Sequence, residues 1–200
     1  GGPVYIYGIY NGAVAHNSYT NEYYTNLKDA IVDLPVTGSA TLTMYANCGT
    51  FEDESKTASY SLSANITFNV NGKEVWGSLV NNGTLTLDLN GGSVRYITGA
   101  TAGSTSYRAS AAVINNGTMT IQDPQGGGVI STDAVCDDNV RYDLKNHASA
   151  IRNLGSLAME NIRVSVDQSV NDWVTAVMNY NGGVITSMND CSVVCTRGDG

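Results

Sequence analysis

Charge is scarce in this 200-residue chain, at 14% Asp, Glu, Lys and Arg against about 25% in an ordinary soluble domain. Lys and Arg together number 10, and the net charge is −8 with a pI near 4.5. A polyanion partner needs phosphate-neutralising cations, so this balance argues against nucleic acid and against anionic membrane surfaces. There is no apolar run of about 18 residues, which excludes a membrane-spanning helix. The start at Gly1-Gly2-Pro3 has neither a basic n-region nor an apolar h-region, so the chain reads as a mature segment without its signal. No CxxC pair occurs among Cys48, Cys136, Cys191 and Cys195, which argues against a metal knuckle. What is abundant is 22 Gly and 21 Asn, the mark of an uncharged, polar, turn-rich surface.

The cysteines leave two alternatives open. Cys191 and Cys195 would lie on one side of one strand, roughly 13 Å apart at about 3.3 Å per residue, too far to bridge each other. They are either small buried hydrophobes in a stacked core or partners of cysteines on a neighbouring turn.

Internal repetition decides the fold class. Val80-Asn81-Asn82-Gly83-Thr84-Leu85-Thr86-Leu87 recurs as Ile114-Asn115-Asn116-Gly117-Thr118-Met119-Thr120-Ile121, a shift of 115 − 81 = 34. A third copy, Ala150-Ile151-Arg152-Asn153-Leu154-Gly155-Ser156-Leu157-Ala158-Met159, lies 153 − 115 = 38 further on. The fourth, opening at Ala176-Val177-Met178-Asn179, lies 179 − 153 = 26 beyond that, and Met188 answers Met159 at 188 − 159 = 29. Residues 180–184 therefore absorb about three extra residues.

One helix is expected, over 27–34, with Asn26 as its cap, Asp29 at N3, and Leu27, Ala30, Ile31 and Leu34 on one stripe. Pro35 stops it. Before it, residues 4–10 alternate as a strand. Short strands are expected at 40–45, 60–62, 66–70, 84–89, 94–97, 119–121, 129–130, 162–166 and 184–186, separated by Gly, Asn or Asp. Spacings of 26 to 38 residues fit a coil of three short strands with insertions of unequal length. Propeller blades need longer and more even repeats, and the leucine ladder of leucine-rich repeats is absent. The expected class is thus an all-β parallel β-helix. Residues 1–38 form an N-terminal strand and capping helix, and 39–200 form coils with insertions at about 101–110 and 131–149. A helix at that place covers the first open turn and blocks edge pairing. Asn81, Asn115, Asn153 and Asn179 are expected to hydrogen-bond up the stack as a ladder, with glycine two residues later for the tight corner, and Leu85, Met119 and Leu157, with Leu87, Ile121 and Met159, to point inward in tiers.

The stretch Tyr24-Thr25-Asn26-Leu27-Lys28-Asp29-Ala30-Ile31, the strand at 38–44, Asn71-Gly72-Lys73, Leu87-Asp88-Leu89-Asn90-Gly91-Gly92 and the Asn-Asn-Gly-Thr repeats together resemble the pectate-lyase-like, right-handed β-helix regions of bacterial surface proteins. The resemblance covers roughly residues 20–200. It implies a right-handed coil in a secreted or wall-attached protein, adhesive or glycan-facing, and related β-helices occur in phage tailspikes and polysaccharide lyases. The degraded fourth repeat and the end at Gly200 without a visible cap are expected of a fragment, or of a subunit capped by a partner.

Polysaccharide cleavage needs paired carboxylates, or a calcium-binding acidic cluster beside an Arg or Lys. The second insertion gathers Asp133, Asp137, Asp138, Arg141, Tyr142, Asp143, Lys145 and His147, of which Asp137, Asp138, Arg141 and His147 are the catalytic candidates. A solvated polar loop collects the same residues. The Gly-His-Gly signature of polygalacturonases is missing, for His147 lies in Asn146-His147-Ala148 and His16 in Ala15-His16-Asn17. No cofactor is expected. Glu52-Asp53-Glu54 could hold Ca2+, although three consecutive acids cannot all face one ion. For binding, Trp76, Tyr96, Tyr107, Tyr142 and Trp173 fall at strand ends or in insertions, where a ring can stack on a sugar or lid the stack. Arg197-Gly198-Asp199 is read as a turn after a strand, despite matching the integrin-recognition tripeptide.

The expected function is a non-enzymatic extracellular surface or adhesin-type protein presenting loops to a glycan or host-surface protein. A phage tailspike with polysaccharide-degrading activity, placed on a virion, is the second reading. A structural subunit that stacks end to end or forms a homo-oligomer is the third.

Overall fold

A computed structural model describes residues 12–49, 59–60, 64–96, 111–132, 148–168 and 174–197. Within these, the chain is mostly β, with its strands sorted into three sheets. The first contains Ser39–Met44, Asn65–Asn69, Thr84–Asp88, Thr118–Gln122, Ser156–Glu160 and Val184–Asn189, neighbours in that order. The second contains Cys48–Gly49, Glu74–Trp76, Ser93–Tyr96, Val129–Thr132, Arg163–Gln168 and Ser192–Arg197. The third contains Ser59–Tyr60, Leu79–Asn81, Ala111–Asn115, Ala148–Asn153 and Val174–Asn179. All these pairings are parallel, and each strand pairs with the one three places later in the chain.

The repeat spacing sets the register. Asn81 is level with Asn115, Asn115 with Asn153, and Asn153 with Asn179. In the first sheet Leu85, Met119 and Leu157 form one buried column and Leu87, Ile121 and Met159 a second. Alternation along each strand sends these apolar side chains to the core and leaves Thr84, Thr86, Thr118 and Thr120 outside. Each fully buried aliphatic side chain contributes about 1.5–3 kcal/mol. The extra residues of the fourth repeat fall in two places. Ser156 pairs with Val184, a shift of 28, so two residues enter at Asn181-Gly182; Ala158 pairs with Ser187, a shift of 29, so one more enters as an irregularity within the strand.

Between the third and first sheets the backbone pairing continues through the turn. Thr118 N donates to Gly83 O and Ser156 N to Gly117 O, both at 2.8 Å. A Cβ on Gly117 would lie 2.1 Å from Gly83 O, and one on Gly155 would lie 2.0 Å from Gly117 O. Neither glycine has a positive φ. Close approach of stacked backbones, rather than an unusual turn conformation, therefore requires glycine here. The asparagine side chains run alongside: Asn81 Nδ2 donates to Asn115 Oδ1 (2.9 Å), Asn115 Nδ2 to Asn153 Oδ1 (2.8 Å) and Asn153 Nδ2 to Asn179 Oδ1 (2.7 Å).

The near end of the first sheet is covered. Ala15–Asn17 pairs antiparallel with Ser39–Met44 and with Glu22–Tyr24. Helix α1 (Leu27–Val32) packs beside them with Leu27, Ala30 and Ile31 buried. Asp29 N donates to the Asn26 side chain at 2.8 Å and Asn26 Nδ2 returns a bond to Asp29 Oδ2. The helix is two residues shorter than expected, because Asp33 already takes the cap position. The expected strand at 4–10 lies outside the described residues. The second insertion is narrower than 131–149, since Ser131 and Thr132 end one strand and Ala148 and Ser149 begin the next.

At the far end the core lies open. Ile185, Met188 and Val193 are level with the buried Leu157, Met159 and Val164, yet are 37%, 52% and 44% exposed. Cys195 follows the same logic. It is level with buried Val166 but is exposed, with no strand of the described residues beyond it, and both it and Cys191 are free thiols. The expectation of burial thus fails for Cys195.

Candidate functional site

Outward positions of the second sheet form two columns. Glu74, Ser93, Val129 and Arg163 are level with one another, and so are Trp76, Arg95, Ser131 and Ser165. Val75, Val94, Ile130 and Val164, between them in sequence, are all buried, and this alternation turns the polar partners out. The result is an open groove of about 360 Å³ lined by Glu74, Ser93, Arg95, Val129, Ser131, Arg163 and Ser165. Ser131 and Ser165 form its buried floor.

Three interactions set its geometry. Arg95 Nη1 lies 3.7 Å from Glu74 Oε2, and Arg95 Nε donates to Ser131 Oγ at 3.2 Å. Trp76 Nε1 donates to Glu74 Oε1, and the residue is 46% exposed. Glu74 N in turn donates to the Asn47 side chain at 2.9 Å. The Trp76 ring is thus held by its polar edge beside an ion pair. Arg163, three strands away from Glu74, is exposed and has no ion pair among the described residues. With Glu74 balanced by Arg95, the groove carries −1 + 2 = +1 on a chain of −8.

A second concavity, about 410 Å³, lies beside the turn from the first sheet to the second and is lined by Gln122, Asp123, Pro124, Glu160, Asn161 and Asp190. Its chemistry is structural. The buried Asp123 carboxylate accepts from the backbone N–H groups of Gly91, Gln125, Gly126 and Gly128 and so closes the turn. Asp88, level with Gln122, has one buried carboxylate oxygen without a partner. Burial, reinforced by the charge of Asp123, raises its pKa above the ordinary value. Among the described residues no group of three His, Cys, Asp or Glu could hold a metal ion.

Of the residues singled out from sequence, Asp137, Asp138, Arg141, His147, Tyr107, Tyr142 and Trp173 lie outside the described residues, as does Glu52-Asp53-Glu54. In chain order 97–110, 133–147 and 169–173, which hold all of these but Glu52-Asp53-Glu54, each follow a strand of the second sheet and precede one of the third. Tyr96 is placed in the core rather than on the outward face. It occupies an inward position of Ser93–Tyr96 and is 9% exposed within the apolar core. Sequence reasoning reached Trp76 but missed Glu74, Arg95 and Arg163. A signal was available, namely charged residues alternating with valine in a chain otherwise poor in charge.

Among the described residues no helix is long and apolar enough to cross a membrane. No protein family matches the chain, and neither a curated protein nor a solved structure matches it.

Proposed function

We propose that this chain is a right-handed parallel β-helix of an extracellular surface protein, akin to the pectate-lyase-like regions it resembles, and that it binds a glycan without cleaving it. Three sheets whose strands interleave with a period of three support the winding. Parallel crossovers are right-handed in about 98% of cases, which supports the hand.

The observation that carries the binding reading is the Trp76 ring, exposed and fixed by Glu74 on a sheet next to Arg95. A sugar offers an apolar face to such a ring and hydroxyls to the flanking carboxylate, guanidinium and serines. A sheet holds these groups without an ordering cost at binding. Cleavage would need a second carboxylate roughly 5–10 Å from the first. Glu74 is the only one lining the groove among the described residues, and it is engaged by Arg95 and Trp76.

Glycan-array binding by the intact chain tests the reading. Trp76→Ala is expected to weaken binding about tenfold, the equivalent of about 1.4 kcal/mol, with an unchanged thermal midpoint and no loss of polysaccharide viscosity. Absence of binding to every glycan defeats the proposal, and full affinity in Trp76→Ala removes the groove from it.

A further inference from the structure

Resting on that reading, we infer that the glycan is acidic and that Arg163 holds a carboxylate of one of its sugars. The charge arithmetic motivates this. The chain repels anions as a whole, at −8, so a cation left unneutralised in a groove stands out. Arg95 is committed to Glu74 and Ser131. Arg163 is exposed, lines the same groove, and has no ion pair among the described residues.

Trp76 adjoins the groove through its level neighbour Arg95, while Arg163 lines it three strands away. Their strands, Glu74–Trp76 and Arg163–Gln168, are separated by Ser93–Tyr96 and Val129–Thr132. Three strand spacings of about 4.8 Å and an offset of two residues along the strand, about 7 Å, place Trp76 and Arg163 roughly 16 Å apart. Between them run Ser93, the half-buried Val129 and Arg95, which is level with Trp76 and paired with Glu74, over a floor of Ser131 and Ser165. An oligosaccharide lying across the strands meets the ring at one end and the guanidinium at the other. The planar fork of Arg163 matches a carboxylate in two parallel hydrogen bonds.

The experiment compares the intact chain binding hyaluronan and alginate oligosaccharides with binding of each one's carboxyl-reduced, neutral counterpart. At low salt the acidic forms are expected to bind about tenfold or more tightly, with the advantage narrowing as ionic strength rises. Arg163→Gln brings acidic and neutral affinities together, and Arg163→Lys retains part of the difference. Trp76→Ala weakens both forms alike. Equal affinity for acidic and neutral forms, or a preference that survives Arg163→Gln, overturns the inference while leaving glycan binding intact. Binding of neither form overturns the inference, and the glycan reading falls with it only if every glycan of the array is also left unbound.

Discussion

Replacing Asn115 by alanine would strip four hydrogen bonds from the middle of the stack at once. Its Oδ1 accepts from Asn81 Nδ2 and Gly117 N, and its Nδ2 donates to Asn153 Oδ1 and Ser156 O. The partners left behind are buried or half-buried, so urea unfolding should show a loss of about 2–4 kcal/mol; a change within error would mean that the ladder is incidental. Asp88 works in the opposite sense. Burial raises its pKa, with Asp123 adding to the effect, so the native chain holds this proton more tightly than the unfolded one. Stability from this group therefore falls as pH rises from about 3.8 through the raised native value, and returns on acidification through the same window. Asp88→Asn should raise the thermal midpoint at neutral pH and flatten its pH dependence there. An unaltered profile would show that the orphaned oxygen costs nothing.

At the scale of elements, the turns between strands carry as much of the specification as the strands. Gly117 and Gly182 are both turn glycines, for different reasons. Gly117 sits against the Gly83 backbone, whereas Gly182 has φ +87 and open space where a Cβ would go. Gly117→Ala must push two stacked backbones apart and should cost upward of about 2 kcal/mol; Gly182→Ala meets only the left-handed penalty of about 1–2 kcal/mol. Comparable losses in chemical denaturation would refute this ordering. The helix is the other informative element. Its cap at Asn26 and its buried stripe were readable because both are local. The antiparallel pair Ala15–Asn17 and Glu22–Tyr24 was not, being three residues per strand and too short to display a period.

Across the whole molecule, position in the stack outweighs residue type. Ile121 is fully buried with strands on both sides, while Ile185 lies on the last strand of the first sheet and is 37% exposed. Ile121→Ala should cost about 2–5 kcal/mol and Ile185→Ala less than half as much, measured as thermal or urea midpoints; equal costs would mean that the far end is covered in solution. The same reasoning separates what could be read in advance. Repeat shifts of 34, 38 and 26 aligned the asparagines and the buried columns correctly, since a duplicated motif reports its own register. The groove was illegible by comparison. Glu74 and Arg95 are 21 residues apart, and Arg95 and Arg163 are 68 apart. They come to line one groove only through the summed lengths of the turns and insertions between them.

By itself the sequence determined the predominantly β class, the period that brings strands together and the identity of the buried columns, because alternation and repetition are properties of a single strand and of its copies. Only the tertiary structure decided that Tyr96 turns inward while Trp76 turns out, that Gly117 is required by a neighbouring backbone, and that Arg163 lines a groove three strands from Trp76 without an ion pair among the described residues. Each of those depends on which strands are stacked on which, and that contact is made between segments whose separation along the chain carries no pattern of its own.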